Sequence, residues 1–308
     1  MKFLVTGGAG FIGSNIVEEL LKRGYEVRVL DNFSTGQRIN ISEFKNDVEL
    51  IEGDIRSYHT VRQAVKGIDT VLHQAALPSV PRSINDPITT NEVNVIGTLN
   101  LLDAAKDTNV KKFVFASSSS IYGDNPELPK HEGMTPNPLS PYAVSKLTGE
   151  KYCQVFANLY GMETIVLRYF NVFGPRQDPN SQYSAVIPKF IKAIKKDIRP
   201  TIYGDGTQSR DFTYVSNIVE ANILAATKNN NTPLVMNCAT HGQVTINEVV
   251  TQINNLCNKN IKPIYEKPRP GEIKHSFADI NLIDKVLNFR PVIEFKEELR
   301  STFTSFFN

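Results

Sequence analysis

Short apolar, β-branched runs alternate with longer stretches of helical periodicity along the first two-thirds of the chain. Phe3–Thr6, Glu26–Leu30, Val48–Glu52, Thr70–Gln74, Lys112–Ser117 and Thr164–Tyr169 read as strands. Between them, Phe11–Arg23, Tyr58–Lys66, Ile84–Lys106 and Pro141–Tyr160 read as helices. Such alternation builds a parallel sheet with helices on both faces. The expected fold is α/β, a Rossmann-type doubly wound sheet. After about Phe170 prolines become frequent, and helices are expected at Ala185–Lys196 and Thr245–Lys259. The second of these opens with Thr245-x-x-Glu248, a capping box. Segment Asp211–Lys228 and strand Leu234–Cys238 are read as returning to the sheet. The expected division is a Rossmann domain over 1–170 plus about 211–238, and a smaller, discontinuous lobe from 171–210 and about 239–308.

Composition changes this picture little. With 308 residues, 41% of them hydrophobic and 21% charged, the chain can bury a sizeable core. A formal net charge of +2 gives no case for a nucleic-acid or membrane surface, though a local basic pocket for a small anion stays open. Cys153, Cys238 and Cys257 lie far apart, with no CxxC pair and no His/Cys cluster at metal spacing. Reduced, buried thiols, a cytoplasmic location and no metal site are expected. No apolar run reaches the roughly 18 residues of a membrane span. The start Met1–Val5 is soon broken by Gly7, Gly8, Gly10 and Gly13, so no secretory signal is read there.

Those glycines carry the first chemistry. Gly7-Gly8-Ala9-Gly10-Phe11-Ile12-Gly13 follows the first strand directly and opens the first helix. Glycines there permit a tight turn and let backbone N–H groups approach a pyrophosphate. Asp31 ends the second strand, 18 residues past Gly13, where a carboxylate can bind a ribose 2′-hydroxyl. It favours NAD over NADP, because it repels a 2′-phosphate. Asn32 and Phe33 add no cation, but Arg38 could in principle offset that repulsion. Asp54-Ile55 and Gln74-Ala75-Ala76 sit at strand carboxyl ends, where ligands bind in open sheets. Asp54 suits an adenine amine, or equally a turn.

The second constellation is Tyr142-x-x-x-Lys146. Ser140-Pro141 before it forms an N-cap and first-turn pair, so the two side chains lie one turn apart on one helix face. A phenol acting as a base near pH 7 must come down by about 3 units, about 4 kcal/mol. A lysine ammonium and a nicotinamide cation could supply that. The serine run Ser117–Ser120 ends the preceding strand, and a hydroxyl there can share a proton with the tyrosine and a substrate.

Together these motifs resemble the extended short-chain dehydrogenase/reductases, over nearly the whole chain. Within them, Ser118-Ser119-Ser120-Ile121-Tyr122-Gly123 and Leu167–Pro175 are similar to the nucleotide-sugar 4-epimerases. The resemblance implies an enzyme that uses NAD to oxidise C4 of a UDP-hexose transiently and returns the hydride to the other face of the 4-keto sugar. It implies Ser118 and Tyr142 at the C4 hydroxyl, with Ser119 beside them, and Lys146 on the nicotinamide ribose. It adds Ser34, Gly36 and Tyr169 to the cofactor residues. It places Ser79, Asn171, Val186, Lys189 and Tyr203 on the substrate, Arg210 and Arg269 on the diphosphate and Glu272 near the uridine ribose. It also implies a homodimer in which helices Ile84–Lys106 and Pro141–Tyr160 form a four-helix bundle.

The related 4,6-dehydratases place an Asp-Glu pair after the catalytic hydroxyl residue, and related decarboxylases carry a Glu before the Tyr-Gly. Here Ser119 and Ser120 stand instead, and neither can act as the acid that expels water from C6. Leu77–Ser83, Asn171–Lys189 and His275–Asp279 resemble the UDP-N-acetylhexosamine 4-epimerases, apart from Ser181-Gln182, where a Gly-Ala pair is usual. Ser276 stands where 4-epimerases restricted to UDP-glucose and UDP-galactose carry a tyrosine. UDP-glucose or UDP-glucuronate 4-epimerisation would use the same catalytic residues. A non-catalytic NAD-binding regulator is the reading from another class, and it would be expected to lose Tyr142, Lys146 or Ser118.

Overall fold

A computed structural model describes residues 1–180, 185–228, 234–268, 274–292 and 294–306. The first half runs β1 (Lys2–Thr6), α1 (Phe11–Lys22), β2 (Glu26–Asp31), β3 (Glu49–Glu52), α2 (Tyr58–Ala64), β4 (Thr70–His73), α3 (Val80–Asn85), α4 (Pro87–Asn91), α5 (Gly97–Asp107), β5 (Lys112–Ser118), α6 (Pro141–Tyr160) and β6 (Glu163–Tyr169). The second half runs β7 (Val172–Phe173), α7 (Val186–Lys195), β8 (Thr201–Tyr203), β9 (Ser209–Arg210), β10 (Thr213–Tyr214), α8 (Val215–Thr227), β11 (Leu234–Cys238), β12 (Val244–Thr245), α9 (Ile246–Cys257), β13 (Ile264–Glu266), β14 (His275–Ser276), α10 (Asn281–Leu287) and α11 (Phe295–Ser305).

Seven parallel strands form the central sheet in the order β11-β6-β5-β4-β1-β2-β3. Phe3, Leu4 and Val5 are fully buried because helices cover both faces. Val5, Ile16, Val29, Val114, Leu167 and Ile218 fill one side of the sheet, and Leu4, Val61, Val71, Leu101, Phe113 and Cys153 the other. Each such side chain is worth about 1.5–3 kcal/mol on burial. A separate cluster, with Phe173, Ile191, Ile194, Ile202, Val249 and Leu299, packs β7, α7, β8, α9 and α11 against one another. The α/β doubly wound architecture is the expected one, and Leu234–Cys238 pairs with β6 at the sheet edge. The Thr245 capping box is present, with both reciprocal bonds made.

One expected element breaks up. Ile84–Lys106 is not one helix but the end of α3, then α4, a π-helical turn at Glu92–Ile96, and α5. The break falls at Asp86-Pro87, because proline has no N–H to continue α3. Asp86 instead caps α4, accepting from Thr89 N at 3.0 Å. The wide turn carries Asn94 inward. Its Nδ2 donates to Ser145 Oγ at 3.0 Å and its Oδ1 accepts from Leu77 N at 2.8 Å, tying the loop after β4 to α6.

Candidate active site

The carboxyl ends of the strands open on a cleft of about 680 Å³. At one end the glycine loop turns from β1 into α1. Gly7 has φ +68°, and Gly10 N donates to Gly7 O at 3.0 Å. A Cβ on Gly13 would lie 2.1 Å from Gly7 O. Gly10 caps α1 without a side chain, so the first helical N–H groups are left for a ligand.

Asp31 is buried beside this loop. Its carboxylate accepts from Ala9 N at 2.9 Å and Phe33 N at 2.8 Å, and burial nonetheless pushes the carboxyl above its ordinary range. Asp31 therefore organises the loop as well as facing the cleft. Arg38, the cation left open by sequence, stacks on the Phe33 ring at 4.0 Å and pairs with Glu52 at 2.6 Å. Asp54 lines the cleft and also accepts from Asn32 and Arg56, whose hydrogen bonds hold its carboxyl low.

At the other end stands the tyrosine. Ser140 accepts from Ala143 N at 3.2 Å, Pro141 takes the first helical position, and α6 ends at Gly161 with φ +68°. This cap puts Tyr142 in the first turn and Lys146 one turn on. β5 extends to Ser118, whose Oγ accepts from Ser120 N at 3.2 Å and which stands beside the Tyr142 phenol. Burial pushes the Tyr142 phenol up, and the neighbouring Ser118 hydroxyl offsets part of that. Lys146 is buried, donates from Nζ to Ala116 O at 2.9 Å, and is pulled down to about 8 by burial. Ser119 starts a 3-10 turn, and its hydroxyl makes no hydrogen bond among the described residues.

All the expected cofactor residues line this one cleft: Gly7, Gly10, Phe11, Ile12, Gly13, Asp31, Asn32, Ser34, Gly36, Asp54, Ile55, Gln74, Ala75, Ala76, Tyr142, Lys146 and Tyr169. Ser79 lines it too, as the cap of α3, with a strained φ of +96°. Ala185 lines it at the start of α7, whereas Val186 and Lys189 stand further along that helix. Asn171, at φ +29°, donates to Asp211 O at 3.4 Å. Tyr203 lies in β8, away from the cleft lining. Arg210 and Ser276 are in-register neighbours on the paired strands β9 and β14. Arg269 and Glu272, and the departure at Ser181-Gln182, lie outside the described residues. Sequence reading gave no role to Arg82, Gln177 or Asp178, which also line the cleft. They stood inside stretches already singled out, but residue type alone assigned them nothing.

The cradle at Gly7 and Gly13, the bare N-terminus of α1 and the carboxylate at the end of β2 fit a dinucleotide. Residues 3–239 match the NAD dependent epimerase/dehydratase family. The chain belongs to that family, with the fold of an extended short-chain dehydrogenase/reductase, and NAD is its cofactor. A UDP-N-acetylglucosamine 4-epimerase from Methanobrevibacter ruminantium M1, solved with UDP-N-acetylmuramic acid, is 44% identical with a TM-score of 0.95, covering 99% of this chain and 97% of that one. A Thermus thermophilus UDP-glucose 4-epimerase in complex with NAD is 39% identical, with a TM-score of 0.90 and 99% of each chain covered. A UDP-glucuronic acid 4-epimerase from Bacillus cereus, with UDP-glucuronic acid and NAD, is 34% identical, with a TM-score of 0.91 and 99% and 98% covered.

Gly13→Ala tests the cradle. Because the clash is with backbone, the loop must move, and NAD(H) recovered after denaturing the purified protein should fall to about a tenth of wild type or less. Undiminished recovery would show that the loop does not carry the cofactor, and recovery of NADP(H) alone would overturn the role of Asp31.

Proposed function

We propose that this NAD-dependent UDP-sugar 4-epimerase acts on UDP-N-acetylhexosamines, interconverting UDP-GlcNAc and UDP-GalNAc, and also turns over UDP-glucose and UDP-galactose. The observation that carries the chemistry is Tyr142 one helical turn from buried Lys146 at the wall of the dinucleotide cleft, with Ser118 at the end of β5 beside the phenol. Tyr142 takes the O4 proton, and Ser118 shares it and orients the hydroxyl. Lys146, an ammonium below about pH 8, supplies the positive charge that favours the phenolate. Gly7–Gly13 and Asp31 would hold NAD, which when bound would supply a reversible hydride acceptor for C4.

The sugar assignment draws support from Ser276. Its position beside Arg210 puts a small side chain next to a cation suited to a diphosphate. Where a tyrosine would fill the space at C2, serine leaves room for an acetamido group. The UDP-N-acetylglucosamine 4-epimerase neighbour, at 44% identity, points the same way. Separate incubations with UDP-GlcNAc, UDP-glucose and UDP-glucuronate, with products identified by NMR, test the reading. Turnover of UDP-glucuronate alone would replace it, with Arg82 in the cleft wall the first cation to examine.

The partner reading is a homodimer. Val144, Val155 and Leu159 form a stripe on the face of α6 turned away from Lys146, and are 49%, 46% and 68% exposed. α3 and α4 pack on α6 and expose Ile84 and Ile88. An apolar surface of this kind is characteristic of an interface. Leu102, by contrast, is fully buried within the subunit. Light scattering at micromolar concentration should give twice the mass of the 34.4 kDa chain, and a monomer would remove the dimer.

A further inference from the structure

Behind the reacting groups lies a buried ionic cluster that the proton transfer does not use. Glu150 stands four residues after Lys146 and eight after Tyr142 on α6, so the three share one helix face. It is 1% exposed and does not line the cleft. Its Oε1 accepts from Ser117 Oγ at 2.5 Å and from Arg168 Nε at 3.0 Å, and its Oε2 accepts from Arg168 Nη2 at 2.8 Å. Arg168 Nη1 donates to the Tyr122 hydroxyl at 2.9 Å, and Tyr122 donates to Asn237 Oδ1 at 2.6 Å.

Taking such a pair out of water is expensive, and apolar replacements of similar volume are often as stable. Stability alone therefore does not account for it. Ala116 O takes the Lys146 ammonium and Ser117 takes Glu150, and Ser118, the next residue, stands beside Tyr142. Two consecutive residues at the end of β5 are thus fastened to two successive turns of α6. Gly149 lets the helix approach that closely, since a Cβ there would lie 2.3 Å from the buried Phe115 ring. Arg168 adds the neighbouring strand, β6, to the same clamp.

We propose that Glu150 is a positioning residue: by holding Ser117 and Arg168 together it sets the register of α6 on β5 and β6, and through it the Ser118–Tyr142 contact. A displacement of about 1 Å at reacting groups costs about 10²-fold in rate. This rests on the catalytic roles proposed for Ser118 and Tyr142, so the test includes one readout that needs no substrate.

Glu150→Gln and Ser117→Ala are compared with wild type as the full chain with bound NAD. Each should lower kcat for UDP-GlcNAc by about 10- to 100-fold with KM and NAD content within about threefold, a split that general damage would not produce. Amide exchange over residues 117–122 should quicken by about tenfold or more while β1 stays unchanged. If Glu150→Gln does not fold, Ser117→Ala decides, since it leaves the ion pair intact. Unchanged exchange at 117–122, or exchange rising equally in β1, would overturn the proposal. A kcat that stays within about threefold of an active wild type would do the same. A wild type inactive on every UDP-sugar would instead overturn the catalytic reading, with the exchange comparison still deciding the positioning role.

Discussion

Tyr142→Phe should leave the fold and the bound cofactor in place and lower kcat by about 10²–10⁴-fold, the usual worth of one proton-transfer group. The ring stays, so packing in the first turn of α6 is kept, and only the hydroxyl facing Ser118 is lost. Burial holds the phenol above its ordinary range in the free protein, so the base has to be made by its surroundings. Lys146 stands one turn away, with Nζ 5.9 Å from the Tyr142 ring centre, and the cofactor's nicotinamide is cationic when oxidised. Ser118→Ala should also be impaired. Ser119→Ala should be milder, because the Ser119 hydroxyl has no hydrogen bond to lose among the described residues. Circular dichroism and NAD content establish that each variant is folded and loaded. Activity of Tyr142→Phe within about tenfold of wild type would remove Tyr142 as the base.

Ser276→Tyr should nearly abolish turnover of UDP-GlcNAc while leaving UDP-glucose within several-fold. Ser276 is a half-buried strand residue, with its carbonyl accepting from Asp211 N at 2.9 Å, so the backbone that carries it is held. The buried Asp211 carboxylate fastens the same region through Thr240 N at 3.0 Å, Thr240 Oγ1 at 2.7 Å and Ala278 N at 3.2 Å. A ring introduced there has little room to give way. A penalty of about 3 kcal/mol is reasonable for overpacking, roughly 10²-fold, and it opposes only the substrate with a 2-acetamido group. The decisive quantity is the ratio of kcat/KM for the two sugars before and after the change. Equal losses for both would mean general damage, and Ser276 would cease to support an acetamido-sugar substrate.

The parts of the site legible in the sequence are those whose physics is local. The Gly7–Gly13 turn needs only glycines between a strand and a helix, and Asp31 needs only the next strand end. The helix Pro141–Tyr160 is bounded by its own Ser140 cap and Gly161, so its limits, and the spacing of Tyr142 and Lys146, are set by neighbouring residues. The break at Asp86-Pro87 carried a local signal too, since proline has no N–H to continue a helix, although one helix was expected over Ile84–Lys106.

What the tertiary structure alone decided is which chemically similar groups meet. Four serines follow one another at 117–120, and the sequence does not distinguish their surroundings. Folding gives Ser117 the Glu150 carboxylate of α6 as its partner, whereas Ser118, where the strand ends, accepts from Ser120 N at 3.2 Å. The register of β5 comes from pairing with β4 and β6, from His73↔Phe115 to Ser118↔Tyr169, and from the docking of α6 at Gly149. Arg38 was free in the sequence to answer a 2′-phosphate, but folding placed Phe33 and Glu52 against it. Arg210 and Ser276 are 66 residues apart and become neighbours only when β14 pairs with β9. Capping and turn chemistry act over a few residues and can be read from order alone, whereas strand register and long-range pairing are settled by which packing buries the core.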